Sequence, residues 1–481
     1  MNAARDDRRW AAASMLFIVL VAFGLRWGTE VTQRGPLFDE RWITRPIAEI
    51  IRHGWTVQTA IDFQETKGPA LIWPYAAVGT VLIDDPLEVA GIDAPAGGAG
   101  GWAAHAWEPP IDGGPAPAPP GMLAALRLIS ILCFVLAVVP LLVLASASGI
   151  RGPPLLLVTV LFTLLPQMAV FGQIVMGEAS FVLLGLSLFA VVAWACGAGN
   201  GVQHRIAGPI LYGLLLAVLL HSRPHAAAFA PAVCIALFSR ASWRSWPWWL
   251  ASILAAVVRI PLWIRWDGLV SSDFSNLHGM GLRLDSLTYL AAGMALFLGV
   301  FLLAWIVYPS HATGPRPGRR WVVGGLGVGV LLGVLAPVMP SVHGGFDLAV
   351  QHDRFQGVAA TISRTLAGPG LGGSAVVALL AVIGLGGLGA LFAFTASKQG
   401  SPRGDRSDQV WSIVLRVQAL TLAFGWLLYA ATRGFVFDRY LLAWAMALPL
   451  AWVILLPRWL IGIQAAVLAL VAMYHVHIWL M

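Results

Sequence analysis

Residues 10–27 read WAAASMLFIVLVAFGLRW, an apolar run interrupted by a single charge, Arg26. At roughly 20 residues per crossing, such a run is long enough for a membrane helix. Arg5, Arg8 and Arg9 precede it, and only bulky and charged residues follow, with no small-residue cleavage site. The expectation is an anchor helix with a cytoplasmic N-terminus rather than a removed signal peptide.

The pattern recurs along the chain. Of 481 residues, 58% are hydrophobic and 11% charged, and the mean hydropathy is +0.79. These values are those of a polytopic membrane protein and not of a soluble domain. Counting roughly 20 apolar residues per span gives about thirteen membrane helices, starting near residues 10, 122, 153, 178, 208, 225, 246, 286, 321, 372, 410, 440 and 459. The whole chain, 1–481, reads as one transmembrane module.

The charge balance fits this reading. A net charge of +7 would suit a nucleic-acid binder, but the bases sit in short loops between apolar runs. Every second loop is basic: those holding Arg151, Arg205, Arg240 with Arg244, Arg316 with Arg319 and Arg320, Lys398 with Arg403 and Arg406, and Arg458. That asymmetry orients a membrane protein with these loops inside and leaves no nucleic-acid partner to expect. The acids gather on the opposite side. Cys133, Cys196 and Cys234 all lie inside apolar runs and read as packing residues. The 22 tryptophans cluster partly at expected interfaces, so an aromatic belt accounts for them without a sugar-stacking role.

The largest external segment is residues 30–121, and 265–285 and 340–370 are also long enough to fold over a cavity. In the first of these, Trp42, Ile43, Ile47, Ile50 and Ile51 recur at helical spacing, while Arg41, Arg45, Glu49 and Arg52 take the other face. This predicts an amphipathic helix on the membrane surface, with Pro46 as its weak point. Residues 69–83, PALIWPYAAVGTVLI, are apolar but too short to cross, which predicts an interfacial or re-entrant piece. The Gly/Pro-rich stretch 84–120 has neither helical nor strand periodicity and reads as irregular.

Ionisable groups beside hydrocarbon are costly, so those with an identifiable partner are candidates for function. The pair Asp39-Glu40 in GPLFDERWITRP (35–46) stands where the first external segment becomes helical. Two adjacent helical residues point about 100° apart, so one carboxylate can face a cavity while the other turns to a base; a solvated helix start is the plainer alternative. Lys67, in QETKGPALIWP (64–74), places an ammonium at headgroup depth beside Gly68, where it could hold a lipid phosphate or simply snorkel. Glu178 opens an apolar helix on the outer side. Arg223, in HSRPH (221–225), and Arg439 with Tyr440, in FDRY (437–440), belong to that side as well. No phosphate loop, zinc helix, nucleophile elbow or Cys-x-x-Cys motif is present, and no metal or cofactor is expected. His475 and His477 stand two apart on the last helix and face different ways.

Taken in order, FDERW, ETKGPALIW, MGEASF, HSRPHAAAFAPA and FDRYLLAWAMALPL resemble the GT-C glycosyltransferases, above all the bacterial branch holding protein O-mannosyltransferase-like enzymes and the aminoarabinose transferases of lipid A. The resemblance covers about Leu16 to Leu450. It implies an all-α GT-C fold and transfer of a sugar, with inversion, from a polyprenyl-phosphate carrier to a lipid, glycan or protein acceptor outside the cell membrane. Carried over by motif, Asp39 is the catalytic carboxylate position, its role that of general base, with Glu40 its acidic neighbour and Glu178 the second external acid. Lys67, Arg223, Arg439 and Tyr440 then belong to the donor phosphate. The sequence departs from the pattern in reading Lys-Gly-Pro where many relatives have Pro-Pro, and in the length of its Gly/Pro-rich stretch. A multi-pass transporter or lipid flippase is the alternative, and would place its ionisable residues at mid-membrane on broken helices.

Overall fold

In the computed structural model the apolar runs fold as helices, the arrangement that satisfies the backbone within one segment where no water is at hand. The structure describes residues 2–28, 40–62, 68–82, 120–197, 202–241, 245–266, 281–307, 318–339, 355–397, 406–431 and 436–480. The first helices are α1 (Asn2–Gly28), α2 (Glu40–His53), α3 (Pro69–Leu82), α4 (Pro120–Leu136), α5 (Val138–Ala147), α6 (Pro153–Thr163) and α7 (Pro166–Phe171). Next come α8 (Glu178–Gly197), α9 (Val202–Ser222), α10 (Phe229–Ala241), α11 (Trp246–Trp266), α12 (Leu284–Val307) and α13 (Arg319–Leu335). The last are α14 (Val358–Ala367), α15 (Leu371–Ser397), α16 (Arg406–Leu428), α17 (Leu442–Ala445), α18 (Leu448–Leu455) and α19 (Arg458–Leu480).

Among the described residues nine helices are long and apolar enough to cross a membrane: α1, α4 continued by α5, α8, α9, α11, α12, α15, α16 and α19. The chain is an all-α polytopic membrane protein. Its outer faces agree, since Leu16, Leu20 and Phe23 of α1 and Ile253, Leu254, Val257 and Val258 of α11 are exposed, a surface suited to lipid and not to water. The runs expected to begin near residues 153, 225, 321 and 440 are shorter or broken helices. Pro166 separates α6 from α7, and α17 gives way to α18 just before Pro449.

Glycines set how closely the helices approach. A Cβ on Gly384 of α15 would fall 2.0 Å from the Ala291 carbonyl oxygen of α12, and one on Gly325 of α13 would fall 2.2 Å from that of Leu385 in α15. Small residues at these crossings let backbones touch, which is where helices in lipid gain their packing energy. At the break after α17, Gln418 of α16 donates to the Trp444 carbonyl and accepts from the Ala447 N–H at 3.0 Å. One buried amide thus satisfies two backbone groups that the interrupted helix leaves open.

The amphipathic helix α2 forms and runs through Pro46, but its apolar stripe does not lie on lipid. Ile43, Ile47 and Ile50 are fully buried with Leu71, Ile72 and Tyr75 of α3, Leu123 and Leu126 of α4, and Val170 to Met176. The helical spacing marked the buried face, and protein covers it. The expected piece at 69–83 is the helix α3, carried through Pro74. The Gly/Pro-rich stretch falls outside the described residues but for Pro120, which opens α4. A two-residue parallel bridge, β1 (Phe355–Gln356) with β2 (Val436–Phe437), ties the segment ahead of α14 to the residues just before Tyr440.

Candidate functional site

Glu40 opens α2, and its carboxylate is wholly buried against Arg127 of α4. Arg127 grips it with two hydrogen bonds, Nε to Oε1 at 2.9 Å and Nη2 to Oε2. The same Oε1 accepts the Val175 N–H at 2.7 Å. A bidentate guanidinium and a backbone amide together offset the desolvation of the buried carboxylate.

Val175 belongs to an irregular stretch, residues 172–177, that joins α7 to α8 and is buried throughout. Non-helical backbone at such a position needs partners from elsewhere in the protein. Glu40 supplies one on the Val175 side, and Arg223, just past α9, donates from Nη2 to the Met176 carbonyl. Gly177 then turns with φ +77°, a conformation that other residues rarely adopt, and α8 starts at Glu178. The two charged side chains hold this stretch from either side and so fix where Glu178 points.

Arg223 Nη2 also stands 2.8 Å from Glu178 Oε1, both side chains being less than a tenth exposed. The contact is an ion pair by distance, but it is poorly aligned. Among the described residues neither Glu178 oxygen finds a well-aligned hydrogen-bond donor, and Arg223 Nε finds no acceptor. Beside them lies a narrow pocket lined by Glu178, Phe181, Val182, Arg223, His225, Tyr440, Leu442 and Ala443. Its far wall is aromatic. The His225 ring centre is 5.0 Å from that of Phe181, 5.9 Å from Trp444 and 6.1 Å from Tyr440. Tyr440 in turn stacks on Tyr429 at 4.9 Å, with the rings 18° apart.

A second positive centre lies at the Gly68–Pro69 turn. The Gly68 N–H donates to the Ser222 carbonyl at 2.9 Å, and a Cβ at Gly68 would fall 1.7 Å from the His221 carbonyl oxygen. No side chain fits there, so glycine is what lets the two backbones meet. Arg259 of α11 closes the underside. It is fully buried, bonds the Leu220 carbonyl through Nη1 and lies 5.5 Å from the Trp266 ring, and among the described residues its Nε and Nη2 find no hydrogen-bond partner. Within α3, burial raises the pKa of the Tyr75 phenol above its ordinary range, and its hydroxyl meets Ser130 Oγ at 2.9 Å.

The structure therefore brings Glu178, Arg223 and Tyr440 to one pocket and ties Glu40 to the stretch that ends at Glu178. Asp39 and Lys67 lie outside the described residues; Arg439 sits in the 3-10 turn Asp438–Leu441 beside the pocket's Tyr440. Reading the sequence missed Arg127, Arg259, His225 and Tyr429. Arg127 and Arg259 carried a usable signal, an ionisable residue inside an apolar run, whereas His225 and Tyr429 gain their surroundings only from packing. No cluster of metal-ligating side chains occurs among the described residues. No known family model, curated protein or solved structure matches this chain.

Proposed function

We propose that this chain is a GT-C-type integral membrane glycosyltransferase that moves a sugar from a polyprenyl-phosphate carrier to an acceptor on the outer face of the cell (inner) membrane, inverting the anomeric centre. The observation that carries the proposal is the bond from Val175 N–H to Glu40. It ties the residue next to Asp39 to the stretch that ends at Glu178, which in turn faces Arg223 and Tyr440. Acids and bases from distant parts of the chain thus converge on one region, as a group-transfer site requires. The thirteen-span topology with a cytoplasmic N-terminus belongs to the same proposal.

The chemistry follows from these residues. Asp39 accepts the proton of an acceptor hydroxyl while that oxygen attacks the anomeric carbon. The bond from that carbon to the phosphate oxygen breaks, and the lipid phosphate leaves with the electron pair. Lys67 and the uncommitted N–H groups of Arg259 stabilise the charge that develops on the phosphate. Glu40, committed to Arg127 and Val175, acts as a positioning residue. No nucleotide takes part, since the lipid carries the activated bond.

The test is transfer of labelled sugar from a panel of polyprenyl-phosphate sugars in membranes holding the native chain or Asp39→Asn at matched expression. Transfer by the native chain that the variant loses supports both enzyme and base. Equal transfer by the two removes Asp39 as the base, and no transfer from any donor returns the chain to the transporter reading.

A further inference from the structure

The Glu178–Arg223 pair has bonding capacity left over. Arg223 Nη2 serves two acceptors at once, the Met176 carbonyl and Glu178 Oε1, and the second contact is poorly aligned. Among the described residues the two Glu178 oxygens find no well-aligned donor and Arg223 Nε finds no acceptor, although both side chains are more than nine-tenths buried. Buried polar atoms of native proteins are satisfied by protein or, failing that, by ordered water.

The narrow pocket beside the pair decides between these. It has room for about one water molecule, the lower limit at which a polar-walled cavity holds water. Its chemistry suits the same guest. Glu178 and Arg223 cancel in formal charge, so the walls favour a neutral molecule over an ion. The carboxylate calls for a donor and Arg223 Nε for an acceptor, and water is both. Phe181, Val182, Leu442 and Ala443, also in the lining, carry no polar side-chain atom, which leaves the pair as a principal holder of the guest.

We propose that this pocket is a hydration site, in which one ordered water accepts from Arg223 Nε, donates to the Glu178 carboxylate and so bridges the ion pair. A dry pair would have to offset the desolvation of both charges through one misaligned contact, whereas the water gives each charge a further bond. The bridged pair then locks the head of α8 to Arg223, the residue that follows α9 and already holds the Met176 carbonyl. The inference stands apart from the transferase reading: a chain that transfers no sugar would hold this water all the same.

The experiment is hydroxyl-radical footprinting of the full chain in nanodiscs by a short X-ray pulse, in which radicals made from a bound water oxidise the side chains beside it. Phe181 lines the pocket, while Phe189, further along α8, does not. The two are 2% and 1% exposed, so bulk water reaches neither, and their rings have the same intrinsic reactivity. Phe181 should be oxidised severalfold faster than Phe189. Ala443→Val fills the space, and Glu178→Leu with Arg223→Met removes the polar atoms but keeps the space. Each should bring Phe181 down to the Phe189 rate, since a small apolar cavity stays dry. Equal rates for the two rings in the native chain would show the pocket to be dry. A Phe181 that stays fast in Ala443→Val draws its radicals from elsewhere, and one that stays fast in Glu178→Leu/Arg223→Met has water that the pair does not hold; each of these results overturns the proposal. Should either variant unfold at a lower temperature than the native chain, Val182→Ile narrows the pocket from another wall and is read like Ala443→Val.

Discussion

Arg127→Met would deprive the fully buried Glu40 carboxylate of its bidentate guanidinium partner. Removing one partner of a buried pair costs about 3–5 kcal/mol, because the charge left behind loses the counterion that offset its desolvation. Glu40→Gln in the same background should restore most of that loss. The charge is gone, and the new amide oxygen can still accept from Val175, so the double variant should fall within about 1–2 kcal/mol of the native chain. Glu40→Leu with Arg127→Met should lie between the two, since it orphans the Val175 N–H at about 1–3 kcal/mol. The assay is reversible unfolding of the purified full chain by sodium dodecyl sulfate in mixed micelles, followed by circular dichroism. If Glu40→Gln/Arg127→Met proves no more stable than Arg127→Met alone, the loss does not come from a stranded charge and the reasoning fails.

The same unfolding assay checks two further expectations. Gly384→Ala drives a methyl into the Ala291 carbonyl oxygen and should cost about 1–3 kcal/mol, whereas Gly324→Ala, with nothing within 4 Å of its added carbon, should be neutral or gain up to about 1 kcal/mol of helix propensity. Similar results for both would discount close helix approach as the reason for the glycines. Gln418→Leu should cost about 2–4 kcal/mol by orphaning the Trp444 carbonyl and the Ala447 N–H together; an unchanged transition would mean that the break after α17 finds other partners. Finally, Arg259→Gln should weaken equilibrium binding of radiolabelled polyprenyl phosphate to the full chain in nanodiscs about tenfold or more, through loss of a charge-assisted contact. Unaltered binding in the nanodisc assay would remove Arg259 from the phosphate site.

Several elements were legible along the chain. The run 10–27 anticipated α1, the spacing of Ile43, Ile47 and Ile50 anticipated α2, and Glu178 was placed at the head of a helix. What covers α2 was not legible, because an amphipathic stripe on lipid and one on protein have the same spacing. The short and broken helices near residues 153 and 440 were harder still. A hydropathy window averages across Pro166 or Pro449, and what allows a break is a distant side chain such as Gln418.

The candidate site divides along the same line. Composition and apolar runs alone determined that this chain is helical and built for a membrane, because hydropathy adds up residue by residue and backbone groups without water must pair within their own segment. The partner of each charge could be decided only by the tertiary structure. Glu40 reaches Arg127 across 87 residues and Val175 across 135, and no local pattern records contacts at those separations. Adjacent in sequence, Asp39 and Glu40 look interchangeable. Burial against one guanidinium and one amide is what commits Glu40 to holding the scaffold, since a charge can leave water only where its partners have already been brought to meet it.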